Sequence, residues 1–413
     1  MKTKERIILL LLAALNFTHI LDFMIMMPLG NFLMPHFNIN TQQFSSVVAA
    51  YTFSAGITGF FAAFFADSFD RKKILLFGFI GFLIGTLCCA LAPTYGLLFA
   101  ARIVAGAFGG LIGAQVLSIV ADLVPYERRA SAMATIMSAF SVSSIFGVPF
   151  SLYLSSHFSW HTPFYFIAGL GVVLIPLLIR FIPKMDKHLN EDGPKISPLE
   201  LVRGVVSDPN QVMALLLSGI IMMGHFLIVP FLNPYLEFNM GFSSKTQTPL
   251  MYLVGGSLTL VCSPIIGRIA DRTGKFKLFT IMVLLGVFPI AFITNMPHIP
   301  FYFVLCVTGF WFIVSSGRSI PAQAMVSNVV PPERRGSFMS FNSSIQQLFV
   351  GSSSLIAGFI VHKTADNKIE NYNLTGYLSI VLILSSILIA WRLNKTMERR
   401  KKESLKEVQK EAQ

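Results

Sequence analysis

Very few residues of this 413-residue chain place a charge inside an apolar run, and those few set the chemistry open to it. Asp22, Arg102 and Arg318 each stand within a stretch of apolar residues, where an ionised side chain costs roughly 2.5–3.5 kcal/mol even on a lenient insertion scale. Asp22 lies about seven residues below the outer end of the first run, and Arg102 lies about six below that of the fourth. At about 1.5 Å per residue both sit roughly 10 Å beneath one surface, so they can meet. Apolar burial favours a neutral carboxyl and a nearby guanidinium favours the ionised one. Movement that changes the Asp22 to Arg102 separation would then load or release a proton; the alternative is a static ion pair that fixes helix packing. His19 stands one turn before Asp22, and Asn16 one turn before that, on a shared face. Histidine titrates near neutral pH, which makes His19 either a second proton site or a hydrogen-bonding packer.

Arg318 is the unavoidable charge of the second half, where no acidic residue falls within the apolar core. Its partner is therefore a substrate anion, backbone carbonyls or a first-half residue. His225 lies near the middle of the seventh run, with Asn233 and Tyr235 toward its outer end, and Gln323 follows Arg318 and Pro321. Tyr51, Thr52, Gln115, Asn342 and Gln346 are further candidates to line a cavity, although interhelical hydrogen bonds use the same residue types. Cys88, Cys89, Cys262 and Cys306 all fall in apolar runs and offer neither a disulfide pair nor metal-ligand spacing, so no metal is expected.

The elements that must position these residues follow from composition. Hydrophobic residues make up 54% of the chain and charged ones 13%, against about 25% charged in soluble domains, which excludes an ordinary soluble enzyme. A spanning helix needs about 20 apolar residues. Twelve segments meet that pattern: 7–29, 44–66, 74–92, 97–122, 131–154 and 162–182, then 210–235, 246–270, 277–295, 300–327, 337–361 and 374–393. The first run is long and lacks a small-residue cleavage site, so it reads as a retained span, not a signal peptide. With the N-terminus inside, 27 of the 32 Lys and Arg face the cytoplasm, which places both termini there, in a bacterial-type inner (plasma) membrane. The net charge of +12 then reflects basic loops held against anionic lipid; nucleic acid is not an expected partner.

The halves repeat. Val124-Pro125-Tyr126-Glu127-Arg128-Arg129 returns as Val330-Pro331-Pro332-Glu333-Arg334-Arg335, and Ala66-Asp67 ahead of a basic cluster returns as Ala270-Asp271, at nearly one offset. The fold class expected is all-α and integral to the membrane, with twelve helices in two pseudo-symmetric six-helix bundles. Residues 1–182 form one bundle and 210–393 the other. A cytoplasmic linker, 183–209, joins them, and its Ser197-Pro198-Leu199-Glu200 opens a short amphipathic helix. Residues 394–413 form a charged tail, a solvated helix or a disordered one.

This organisation resembles the major facilitator superfamily over nearly the whole chain. The family's loop signature, Gly-x-Leu-Ala-Asp-Arg-x-Gly-Arg-Lys, is matched by Ala66, Asp67, Arg71 and Lys72 in the first half, where Ala63, Ser68 and Asp70 depart from it. The second half matches it with Gly267, Ala270, Asp271, Arg272, Gly274 and Lys275. The resemblance implies latches that hold the inner side shut, with Arg71 paired to Asp122 at the end of span 4. The second latch should be weaker, because Asn328 stands at the position equivalent to Asp122. Arg102 with Gly106 resembles the span 4 motif of proton-coupled members, Leu21-Asp22 with Pro28-Leu29 the span 1 motif of drug/proton antiporters, and Ser143 to Pro149 the antiporter motif of span 5. In that last motif Gly147-Val148-Pro149 replaces Gly-Pro, and His161 follows Trp160 where Arg is common. Gly147 and Pro149 are accordingly expected to take part in gating.

The resemblance implies a monomeric secondary transporter, not an enzyme, of the 12-span drug/proton antiporter branch. Such a protein exports a small organic molecule in exchange for protons by alternating access. Asp22, Arg102 and His19 would couple protons; Asn16, Tyr51, Gln115, His225, Asn233, Arg318, Gln323 and Gln346 would line the substrate site; Asp67, Arg71, Asp122, Asp271 and Arg272 would gate. Phosphate-binding glycine motifs are absent from the sequence, so neither ATP coupling nor a cofactor is expected. Two rivals stand beside this reading: a proton-coupled importer of a small organic anion, and a non-transporting membrane sensor on the same fold.

Overall fold

A computed structural model describes residues 3–65, 69–124, 126–186, 198–330, 335–364, 366 and 368–411. Asp67, Ser197 and the motif residues 331–334 lie outside them. The first half comprises α1 (Thr3–Ile25), α2 (Gly30–His36), α3 (Thr41–Phe65), α4 (Arg71–Leu91), α5 (Tyr95–Leu123), α6 (Tyr126–Val142), α7 (Val148–His157) and α8 (Thr162–Phe181). After α9 (Pro198–Ser207) come α10 (Pro209–Phe226), α11 (Val229–Phe238), α12 (Gln247–Thr273), α13 (Lys275–Thr294), α14 (Phe301–Ser327), α15 (Arg335–Ile360) and α16 (Tyr372–Glu411). A two-residue hairpin, β1 (His362–Lys363) and β2 (Ile369–Glu370), joins α15 to α16.

The expected twelve apolar segments all fall on helix, with three differences. Eleven helical segments among the described residues are long and apolar enough to cross a membrane. The segment at 337–361 is helical as α15 but carries too many Ser, Asn and Gln to qualify; it packs along α3 and α10 instead of facing lipid. The first span of each half is broken: α1 stops at Ile25 and α2 begins at Gly30, while α10 stops at Phe226 and α11 begins at Val229. Pro28 in the first break and Pro230 at the second position of α11 account for this, since proline cannot supply the N–H that a continuing helix needs. Span 5 widens into a π-helical turn over Ser143–Gly147, just ahead of Pro149, for the same reason. The last helix also runs past Leu393 to Glu411, so the tail is helical through that point.

The helices pack as two bundles. In the first, α3 and α4 flank α5, while α1 packs against α6 and α8; in the second, α12 and α13 flank α14, while α10 packs against α15 and α16. Across the seam, α3 meets α15, and α12 meets α6, α7 and the π turn. The outer end, so named from the charge asymmetry of the loops, is closed. Thr41 Oγ1 donates to Val361 O at 2.5 Å, the Phe44 and Phe231 rings lie 6.1 Å apart, and the Asn31 side-chain amide donates to the Glu237 carboxylate. Lipid-facing positions are apolar and exposed, among them Phe77, Val172, Val261 and Leu388.

Candidate functional site

In the first half the expected acid–base pair is assembled. Arg102 Nη1 donates to Asp22 Oδ2 at 2.7 Å, and neither side chain is more than 1% exposed. The local sequence explains how these charges meet. A Cβ on Gly106 would lie 2.2 Å from the Tyr51 carbonyl oxygen, so only glycine, one turn after Arg102, lets α5 lie this close to α3. That approach sets the Tyr51 ring over the Arg102 guanidinium, 4.2 Å from its Cζ, a cation–π contact in a desolvated setting. From α4, Thr86 Oγ1 donates to Asp22 Oδ1 at 3.2 Å. The carboxylate is therefore bonded through both oxygens to groups on two other helices. His19 completes the cluster, its ring 6.3 Å from Tyr51 and 5.7 Å from Phe82; its Nδ1 and the Tyr51 hydroxyl are buried with no hydrogen-bond partner among the described residues.

Asn16 does not join them. Its Nδ2 donates to Ile136 O at 3.3 Å, which directs it toward α6, because six residues of helix carry it well away from the azimuth of Asp22. Gly147 also serves the interior of this bundle: a Cβ there would meet Leu21 Cδ1 at 2.7 Å, and Ser143 Oγ donates to Phe17 O at 3.4 Å. Ser143 and Gly147 of the span 5 motif thus seat α1, beside Asp22, and Gly147 does not face the other bundle. Gln115 is buried with its Oε1 unpaired among the described residues.

The second half repeats the frame without the ion pair. His225 stands 206 residues after His19, the same offset that separates the two Val-Pro loop motifs. At that offset Asp22 is replaced by Ile228 and Arg102 by Thr308. Arg318 is instead the buried charge, 1% exposed, with Nη1 3.8 Å from where a Cβ on Gly286 would sit; among the described residues no carboxylate pairs with it and its Nε has no partner. His225 lies within electrostatic reach of it and stacks on Trp311, with ring centroids 4.9 Å apart and planes at 16°. Asn233 is fully buried, with neither amide oxygen nor nitrogen hydrogen-bonded among the described residues. Gln346 Nε2 donates to Ser218 Oγ at 2.8 Å, a link between α15 and α10, whereas Gln323 is exposed beyond Arg318.

At the inner ends, Arg71 Nε and Asp122 Oδ2 are 3.0 Å apart, which ties the start of α4 to the end of α5, where the helix dipole also favours a cation. Asp70, a departure from the loop signature, caps α4 by accepting from Lys72 N at 2.8 Å and also accepts from Met185 N at 3.4 Å. Asp271 and Arg272 are exposed and pair with none of the described residues. Sequence reasoning missed Thr86, Trp311 and the Asn31–Glu237 contact. The seven-residue spacing of Trp311 and Arg318 on one helix face was a usable signal for the second, and the repeat offset was one for the third; Thr86 had none.

Comparison with known proteins agrees with this architecture. The Major Facilitator Superfamily profile matches residues 12–349. The MFS-type transporter YceJ of Bacillus subtilis (strain 168) is 25% identical over 369 residues, which cover 89% of this chain and 91% of that protein. Among solved structures, a bacterial homolog of the human lysosomal transporter Spinster, inward-facing and unoccupied, superposes with a TM-score of 0.77 at 15% identity, covering 97% of this chain and 98% of that one. A D-xylose-proton symporter gives 0.74 at 16% identity, covering 94% and 97%.

Proposed function

The chain belongs to the Major Facilitator Superfamily, and from that premise we propose that it is a proton-coupled antiporter that exports a small organic molecule. The observation that carries this reading is the buried Asp22–Arg102 pair. An ionised pair so placed is stable only while its geometry holds, because each charge removed from water depends on the other. When the bundles rock, a shift of α1 against α5 weakens the contact and Asp22 takes up a proton; the return shift restores the pair and expels it. Arg102 stays supported through the change by the Tyr51 ring, and Thr86 holds the carboxyl in place. His19 stands beside the pair as a second proton carrier.

Cargo would bind between bundles 1–182 and 210–393, linked by 183–209, while Arg71–Asp122 and the loop containing Asp67 gate the inner side. Asp271 and Arg272, exposed and unpaired among the described residues, would belong to the weaker second latch. The protein acts as a monomer in the plasma membrane with both termini in the cytoplasm, the orientation that the basic loops favour. In everted vesicles, substrate added outside should dissipate a preformed inside-acid gradient; an unchanged gradient with an authenticated substrate overturns antiport. Arg318, paired with no carboxylate among the described residues, favours one second reading, import of an organic anion, which requires uptake by whole cells that falls when the proton gradient is collapsed. A sensor on the same fold would show no counterflow in proteoliposomes.

A further inference from the structure

The two bundles treat their buried arginines differently. Arg102 is matched by a carboxylate at 2.7 Å and an aromatic face at 4.2 Å. Arg318 is equally buried and has neither among the described residues. The acids placed nearest the apolar core are committed or exposed. Glu237 is held at the outer end by Asn31 and by Ser244 Oγ at 3.4 Å, Asp271 is exposed at the inner end of α12, and Asp22 is taken by Arg102. A lone guanidinium at this depth is a standing cost, which an anion entering from outside the chain would remove.

The surroundings indicate what kind of anion. Trp311, Ser315 and Arg318 are spaced i, i+4 and i+7 along α14 and so share one face. Ser315 Oγ and Trp311 Nε1 are both buried donors without partners among the described residues, and His225, stacked on Trp311, has its Nδ1 unpaired as well. Seven residues of helix set the guanidinium end about 10 Å from the aromatic end. One end of this face therefore offers a bidentate fork suited to a carboxylate, the middle offers neutral hydrogen bonds, and the other end offers a flat apolar stack.

We propose that Arg318, Ser315 and Trp311 of α14, with His225 of α10, form the docking site for an amphipathic organic monoanion. Its carboxylate is held at Arg318 and its aromatic or flat apolar portion lies against the Trp311–His225 pair. This assignment rests on the transporter reading and names the class of its cargo. It also divides the labour between the halves: the first bundle holds the proton on an acid that the chain supplies, and the second bundle lacks such an acid because the cargo supplies it.

The test uses the full chain in lipid nanodiscs. The sequence has three tryptophans, so Trp160→Phe with Trp391→Phe leaves Trp311 as the sole tryptophan reporter. Titration with 6-phenylhexanoate should change its emission saturably. The neutral amide of the same compound should bind about tenfold more weakly or worse, the loss expected for a hydrogen bond to a charged group. Arg318→Gln should erase the preference for the acid, and Arg318→Lys should retain part of it. Equal responses to acid and amide in the unsubstituted site, no saturable response to the acid, or acid binding unchanged by Arg318→Gln would each overturn the proposal. The acid–amide comparison needs no change at Arg318 and so holds even if Arg318→Gln fails to fold. Asp22-dependent proton movement is a separate readout: its survival alongside failed acid binding removes only the anion assignment, and its loss alongside acid binding removes only the coupling.

Discussion

Asn31 and Glu237, hydrogen-bonded to one another across the outer ends of the bundles, are repeat-equivalent residues separated by 206 positions. A contact between equivalent positions lies at the pseudo-twofold axis, where the bundles must part if the outer side is to open. Glu237→Ala should therefore favour the outward-open form several-fold, in line with about 1 kcal/mol or more for a partly buried charged hydrogen bond. Spin labels on Asn40 and Lys245 would report it as a larger long-distance population. An unchanged distance distribution in the folded variant would remove this contact from the gate.

Thr86 donates to the Asp22 carboxylate, and valine would replace its hydroxyl with a methyl group of similar size. Thr86→Val should therefore ease protonation while leaving the bundle intact. The expected result is a pH profile of transport displaced to higher pH by up to about one unit, since one unit corresponds to about 1.36 kcal/mol. A profile that does not move would show that this hydroxyl has no part in holding the proton.

The Arg71–Asp122 contact is 14% and 35% exposed at its two side chains. Pairs this open contribute about 0–1 kcal/mol to stability, so Asp122→Ala should barely shift the melting temperature. Its effect should fall on transport velocity, lowered several-fold as the latch loosens. Exchange of the two charges, Arg71→Asp with Asp122→Arg, should recover part of the velocity; no recovery would mean that the contact is not the gating element.

Much of this was legible in the sequence, for specific reasons. Asp22 and Arg102 could be paired from depth alone, because helix rise converts residue count into height and few intramembrane charges exist to choose among. The pairing of Arg71 with Asp122 was legible only through the family resemblance, which implied it. The breaks at Pro28 and Pro230 were not legible as boundaries, since apolar runs continue through them; only proline's missing N–H marks the place. Depth also failed for Asn16, which shares a nominal face with His19 yet turns to α6, because azimuth drifts over two turns while height does not. Trp311 lies within the apolar run 300–327, where only its seven-residue spacing from Arg318 sets it apart, and the His225 ring stacked on it comes from another helix.

In the proposed mechanism Asp22 carries the coupled proton. The most direct measurement is proton release from acid-loaded everted vesicles on addition of a substrate, first identified by comparing compound retention in cells with and without the protein. Wild-type protein and Asp22→Glu should both release protons, the latter with an altered pH profile, while Asp22→Asn, present at equal amount and folded, should release none. Proton release by Asp22→Asn at the wild-type rate would contradict the account.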